Sequence, residues 1–313
     1  MYAYIIRRLV ATIPIMAIVA VFVFMLLHLS PGDPAAIIAG DFATEEQILK
    51  IREQLGLNDP LYIQFGSWLI NLLQGDMGQS IYSGLPVTKL IGQRLEPTLM
   101  LTLCTMLIAI TMAIPLGVIA AWKVGTWIDR AVMTLAVFGF SVPVFVIGYL
   151  LILGGSRTLG WFPVQGYTSI LESVPGFLSH ITLPALTLGA VYMALIARMT
   201  RATMLEVLNE DYVRTAYAKG LATRKVLVKH ALKNAMVPIS TTIGLGVALL
   251  IGGVVVTESV FAIPGLGRLT VDAVLRTDYP VIQGVILVFS FTYVLLNLLI
   301  DLSYVLFDPR IRY

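Results

Sequence analysis

NEDYVRTAYAKGLATRKVLVKHALKNAMVP, residues 209–238, is the longest polar and basic segment lying between two strongly apolar ones. Val213, Ala216, Tyr217, Gly220 and Leu221 stand at i, i+3, i+4, i+7 and i+8, which is one face of a helix. Lys225, Lys229 and Lys233 recur every four residues and so line one face of a second helical stretch. The pattern predicts a helix–turn–helix outside a membrane. Periodicity alone leaves open whether that order serves a partner or belongs to a solvated connection.

The flanking composition decides the class. Of 313 residues, 58% are hydrophobic and only 12% charged, and the mean hydropathy is +0.88. Soluble domains carry about 25% charged residues. Half that fraction leaves too little polar surface to cover a globule, so the chain is expected to be an all-α polytopic membrane protein. A net charge of +3 without a basic patch interleaved with stacking aromatics gives no reason to expect a nucleic-acid partner. The single cysteine, Cys104, excludes an internal disulfide framework. His28, His180 and His230 are scattered and no HExxH or CxxC occurs, which argues against a metal site. Without a GxxxxGK[ST] stretch the chain does not itself cradle ATP phosphates.

Six apolar runs are long enough to span: residues 9–27, 98–121, 131–153, 181–197, 239–256 and 281–306. The first follows Arg7 and Arg8 and leads into LLHLSPGDP without a small-x-small cleavage site, so it reads as a retained helix rather than a secretory signal. Residues 30–97 form an outer segment. Thr44 and Gln47 make a capping box for a helix closed by Gly56, and Leu61, Phe65, Trp68 and Leu72 then form an amphipathic stripe. Trp122 and Trp127 sit where interfacial aromatics belong. The 21 Lys and Arg residues divide fourteen to seven. The larger set lies in the N-terminus, residues 122–130, residues 198–238 and the C-terminal tail, which predicts both termini and residues 209–238 on the cytoplasmic side. The division along the chain is then residues 1–97, a first span with its external segment, and residues 98–313, a five-helix core.

Few ionisable groups fall within the spans. Asp301, four residues after Asn297, is the best candidate for a functional carboxylate within the membrane, but near the cytoplasmic end of the sixth span a pair with an arginine is favoured over proton coupling. Glu258 is read as a charge at a loop edge. No Ser–His–Asp or paired-carboxylate constellation occurs, so enzyme activity is not expected. Transport remains. An ion-coupled secondary carrier would show internal repeats and spans broken by Gly or Pro around mid-membrane acids. The apolar runs read instead as mostly continuous, with the polar investment in a cytoplasmic loop, which favours energy entering from an attached partner.

Several motifs carry a resemblance to a known family. Residues 211–220 read DYVRTAYAKG and residues 230–238 read HALKNAMVP. With them stand QLGLNDPLYIQF, GDMGQSI, TRATMLEVLNEDY, PGLGRLTVDAV, DYPVIQG and the terminal DPRIRY. Together they resemble permease subunits of binding-protein-dependent ATP-binding cassette importers, in the dipeptide/oligopeptide/nickel subgroup, over nearly the whole chain. Residues 209–238 are similar to that family's EAA loop. Ala216 and Gly220 agree with it, whereas Arg214 and Thr215 depart from Glu and Ala, and the proline arrives late, at Pro238.

The resemblance implies six helices in the bacterial inner membrane, with a cytoplasmic coupling helix between the fourth and fifth. It also implies a second, homologous permease subunit, an external binding protein, and two cytoplasmic ATPase subunits that hold ATP and Mg, leaving this chain without a cofactor. The coupling residues it points to are Val213, Arg214, Thr215, Ala216, Tyr217, Lys219, Gly220 and Leu221. Small Ala216 and Gly220 would admit the partner's groove, Val213, Tyr217 and Leu221 would anchor, and Arg214 and Lys219 would pair with acidic rim groups. Lys225, Lys229 and Lys233 face either the ATPase or anionic lipid headgroups. Residues 30–97 and 265–268 are each open to a docking or gating role. Peptides are the implied substrate class, with nickel, glutathione, opines and some sugars open within the subgroup.

Overall fold

A computed structural model describes residues 2–29, 34–39, 44–54 and 56–307, and every regular element among them is a helix. In chain order these are α1 (Tyr2–Leu29), α2 (Pro34–Ala39), α3 (Glu45–Gln54), α4 (Leu61–Leu73), α5 (Val87–Trp122), α6 (Trp127–Ser141) and α7 (Val144–Leu151). A π-helical turn over Ile152–Thr158 follows, then α8 (Val174–Leu208), α9 (Asp211–Ala218) and α10 (Thr223–Lys225). A second π-helical turn, Val226–Leu232, runs into α11 (Lys233–Val260), and α12 (Leu266–Leu275) and α13 (Tyr279–Phe307) complete the order. Among the described residues, four helices are long and apolar enough to cross a bilayer, and the number rises to six if each of two bent pairs counts as one span.

Those bent pairs correct the expectation of continuous spans. The run at 131–153 is cut in two, with α6 and the segment from Val144 onward meeting at 108°. Pro143 has no N–H to donate and disfavours helical geometry in the residue before it, so Val142 lies extended at ψ 130° and α6 stops. A milder bend of 56° separates Thr223–Val247 from Gly252–Val260, beside the Gly252-Gly253 pair. Span continuity therefore does not separate this chain from an ion-coupled carrier.

The chain folds as two compact units. One, the core unit, holds residues 95–268 and 295 onward. The other, the outer-segment unit, joins Tyr2–Arg94 to Leu269–Val294, so residues far along the chain return to its beginning. In the core unit α8 is the central helix: 61% of its apolar window is buried, and it packs against α6, α7 and α11. Leu101, Leu188, Ile196, Met204, Ile239 and Leu250 are closed to solvent there. Its N-terminus is capped by Ser173, whose hydroxyl accepts from Gly176 N–H at 3.2 Å.

In the outer-segment unit α4 lies on α1. Phe24 stacks edge-on with Phe65 at 5.3 Å between centroids and tilted with Trp68 at 5.7 Å. The amphipathic stripe is thus used within the chain, although no residue of α4 is fully buried. The capping box forms as expected: Thr44 N–H donates to Gln47 Oε1 at 2.9 Å, and Gln47 N–H to Thr44 Oγ1 at 3.4 Å. Most of the PGDP turn, like the C-terminal DPRIRY, lies outside the described residues.

Candidate functional site

α9 follows α8 after only Asn209 and Glu210, and eight residues are too few to hold a helix by hydrogen bonds alone. Packing holds it. Val213 (0% exposed) and Ala216 (6%) form a small core with Val226 from the second π-helical turn, and Val207, Leu208 and Leu221 close around it. Tyr212 adds a tether from its hydroxyl, which accepts from Asn234 Nδ2 at 2.7 Å. The Thr215 hydroxyl donates to the Asp211 carbonyl at 2.9 Å.

The C-terminus of α9 is closed by a Schellman motif. Leu221 N–H donates to the Ala216 carbonyl at 3.3 Å and Gly220 N–H to the Tyr217 carbonyl at 2.9 Å. Gly220 takes φ +76°, a conformation an L side chain adopts at a cost, and open space surrounds the position of a Cβ there. The glycine is therefore favoured by the turn itself.

This geometry redistributes the eight predicted coupling residues. Val213, Ala216 and Leu221 pack inward, so they anchor the loop to its own chain. Arg214, Thr215, Tyr217, Lys219 and Gly220 face outward, with Tyr217 42% exposed. Val213, Ala216, Tyr217, Gly220 and Leu221 thus do not share one outward face, because a short amphipathic helix turns its apolar edge to the nearest available core. Lys225, Lys229 and Lys233 are all exposed. The Arg214–Asp211 pair is 3.5 Å apart and largely open to water, so it contributes little to holding the helix.

Three buried polar sites carry no mark in the periodicity. Glu258, expected at a loop edge, is 0% exposed. The Thr98 hydroxyl donates to its Oε1 at 2.6 Å and Arg268 N–H to its Oε2 at 3.0 Å, while Leu266 N–H donates to Thr98 Oγ1 at 2.8 Å. Residues 265–268 are thereby folded down onto a carboxylate. In the outer-segment unit Asp278 plays a similar part: it accepts from the Ser80 hydroxyl at 2.5 Å and from Ile81 N–H at 3.1 Å, stapling GDMGQSI to DYPVIQG. Near the start of α6, Asp129 receives both Nε and Nη2 of Arg201, the latter at 2.8 Å, and Gly125 N–H at 3.0 Å. The sequence signals were the rarity of an acid so close to a span for Glu258, and motif membership for its partners Leu266 and Arg268 and for Asp278. The reading of Asp301 falls outside the described side chains.

Elsewhere in the core unit, burial and then the hydrogen bond to Glu96 push the Tyr167 hydroxyl well above its usual range, so it remains a donor.

Residues 113–313 match the family described as binding-protein-dependent transport system inner membrane component, and residues 1–102 match its N-terminal companion. The probable peptide ABC transporter permease protein y4tP of Sinorhizobium fredii (strain NBRC 101917 / NGR234) is 55% identical over 313 residues, covering 100% of both chains. The glutathione transport system permease protein GsiC of Escherichia coli (strain K12) is 47% identical, again over 100% of both. Among solved structures, an inward-facing MetNI methionine ABC transporter matches with a TM-score of 0.59 at 17% identity, over 70% of this chain and 96% of that one. At that identity the likeness concerns the fold.

Proposed function

Since the chain belongs to the binding-protein-dependent transport system inner membrane component family, and is thus an inner-membrane permease subunit of an ABC importer rather than an enzyme, we propose that α9 is its coupling helix. In this reading Tyr217, Arg214, Thr215, Lys219 and Gly220 touch a cytoplasmic ATPase subunit. Val213, Ala216 and Leu221 hold the helix rigid behind them. The observation that carries the reading is this division of one short helix into a locked inner edge and an outward surface bearing an exposed aromatic and two bases. A large aromatic ringed by charge is the usual make-up of an interface anchor. Force applied to the outward side is passed to α8 and to the π-helical turn that runs into α11, because the small core joins α9 to both, and the Tyr212–Asn234 hydrogen bond ties α9 to α11 itself.

The rest of the assembly follows the family. Counting each bent pair as one gives six spans, which sets both termini on one side. The excess of Lys and Arg in the N-terminus, residues 122–130, residues 198–238 and the tail supports the cytoplasm as that side, with α9 in it. A second permease subunit completes the path, two ATPase subunits bind ATP and Mg, and an external binding protein delivers substrate. The substrate class is short peptides, supported by the full-length likeness to a probable peptide permease and to a permease for glutathione, itself a small peptide.

The test is uptake and ATP hydrolysis by the complete complex in vesicles, with binding protein present. Gly220→Asp puts a charge on the outward turn, and Gly220→Asn is its neutral control, since both side chains tolerate the left-handed conformation. Gly220→Asp and Tyr217→Ala are expected to lower both uptake and stimulated hydrolysis about tenfold, the effect of losing one anchor, with Gly220→Asn nearer wild type. Normal transport by the first two in an assembled complex would remove the coupling role.

A further inference from the structure

The core unit contains a cavity of about 430 Å³ between α6 and α8, and we infer that it is a binding site for an anionic phospholipid. Its walls divide by chemistry. Met133, Val137, Phe140 and Leu195 supply an apolar surface, and Arg198 and Arg201 supply two guanidinium groups one turn apart. Arg201 is occupied by Asp129 in a two-pronged ion pair. Arg198 has no such carboxylate: of the described residues lining the cavity, none is acidic. Its guanidinium carbon stands 6.0 Å from the centre of the Phe140 ring, at the outer limit of a cation–π contact. One net positive charge therefore faces an apolar hollow.

The surroundings say which medium the hollow faces. Trp122 and Trp127, 46% and 77% exposed, flank the turn before α6, and Lys123 Nζ lies 4.0 Å over the Trp122 ring. Exposed tryptophans beside bases mark the headgroup level of a bilayer. From there α6 runs inward with Leu135, Val137, Phe138 and Phe140 between 59% and 69% exposed. Its small residues Ala136 and Gly139 are turned inward and buried, and a Cβ added at Gly139 would come within 3.0 Å of the Ala190 carbonyl of α8. Helix contacts within membranes favour small residues. The bulky outer face of α6 is thus a lipid face, and the cavity on its flank is open to lipid.

An anionic phospholipid satisfies both walls, with its phosphate on Arg198 and an acyl chain along Met133, Val137 and Phe140. Basic pockets between membrane helices near the headgroups are suited to such lipids. A zwitterionic lipid would bring a second, cationic group beside the two guanidiniums.

Native mass spectrometry of the complete transporter, released from membranes of equal phosphatidylglycerol and phosphatidylcholine content with matched acyl chains, tests the site. Wild type is expected to retain phosphatidylglycerol preferentially. Arg198→Gln should reduce the retained lipid about fivefold, the effect of one guanidinium at an anionic surface. Leu195→Trp, which fills the hollow without touching charge, should do the same. Equal retention of the two lipids, or unchanged retention in both variants, overturns the proposal. So does displacement by inorganic phosphate alone, which would mean a headgroup site without an acyl chain, or a Val137→Cys crosslink to the second permease subunit. None of these outcomes depends on transport.

Discussion

A carboxylate shut away from water at the C-terminal end of a helix faces the negative end of the helix dipole, so donors must be brought to it. For Glu258 they come from the first turn of α12, through Arg268 N–H directly and through Leu266 N–H by way of the Thr98 hydroxyl. The same N–H groups would otherwise be unsatisfied at the start of α12. Gly265 makes the approach possible, because a Cβ there would collide with the Glu258 carboxylate. Gly265→Ala is therefore expected to destabilise the protein by about 1–3 kcal/mol, as overpacking does. Glu258→Gln should cost a similar amount, because its amide group would set a donor against Thr98 or Arg268, about 1–3 kcal/mol for a donor left unmet. Thermal unfolding of the purified protein in detergent measures both, and wild-type midpoints for the two variants would contradict this account.

Among the elements, α6 and α8 show how one ion pair can position a helix. Asp129 stands at the first turn of α6, where a negative charge is favoured by the dipole, and Arg201 reaches it from α8 with two parallel hydrogen bonds. The Asp129 side chain is only 6% exposed, so removing Arg201 leaves a buried charge unpaired. Arg201→Gln should lower stability by about 3 kcal/mol. The double variant Arg201→Gln with Asp129→Asn should regain part of that loss, since no charge is then stranded. Unfolding of the two variants at the same temperature would show that the pair does not position α6. Pro143 sets the other end of α6, where the chain turns through 108° instead of continuing.

On the scale of the whole molecule, the charge asymmetry of the loops predicts which side of the membrane each loop faces. Fourteen of its 21 Lys and Arg residues lie in the N-terminus, the tail and two of the connections. A reporter enzyme active only in the cytoplasm, fused after Tyr313, is expected to be active, and one inserted at Ser83 inactive. The reverse pattern would invert the topology and remove α9 from reach of any cytoplasmic ATPase. The outer-segment unit also gathers residues from two distant stretches, Tyr2–Arg94 and Leu269–Val294. Gln283 Nε2 donating to the Val23 carbonyl at 3.0 Å and Asp278 holding Ser80 are bonds of that kind, across 260 and 198 positions of sequence.

How much of this was legible follows from the range of the forces involved. Hydropathy, loop charge, the capping box at Thr44 and the helix–turn–helix at residues 209–238 are local, and each could be read from neighbours a few positions apart. Periodicity found the apolar edge of α9, but the same pattern is produced by packing at home and by packing on a partner. Only the fold showed that Val213 and Ala216 face Val226, leaving Tyr217 to face outward. The run at 131–153 reads as one continuous helix because apolar composition does not register a missing N–H, and at Pro143 the chain instead bends through 108°. Sequence alone therefore determined a membrane protein with a structured loop and, through its motifs, the family. Tertiary structure decided which face of that loop is free, that Glu258 is buried, and that Arg201 is paired while Arg198 faces a cavity, because burial and charge pairing depend on residues brought together across the chain.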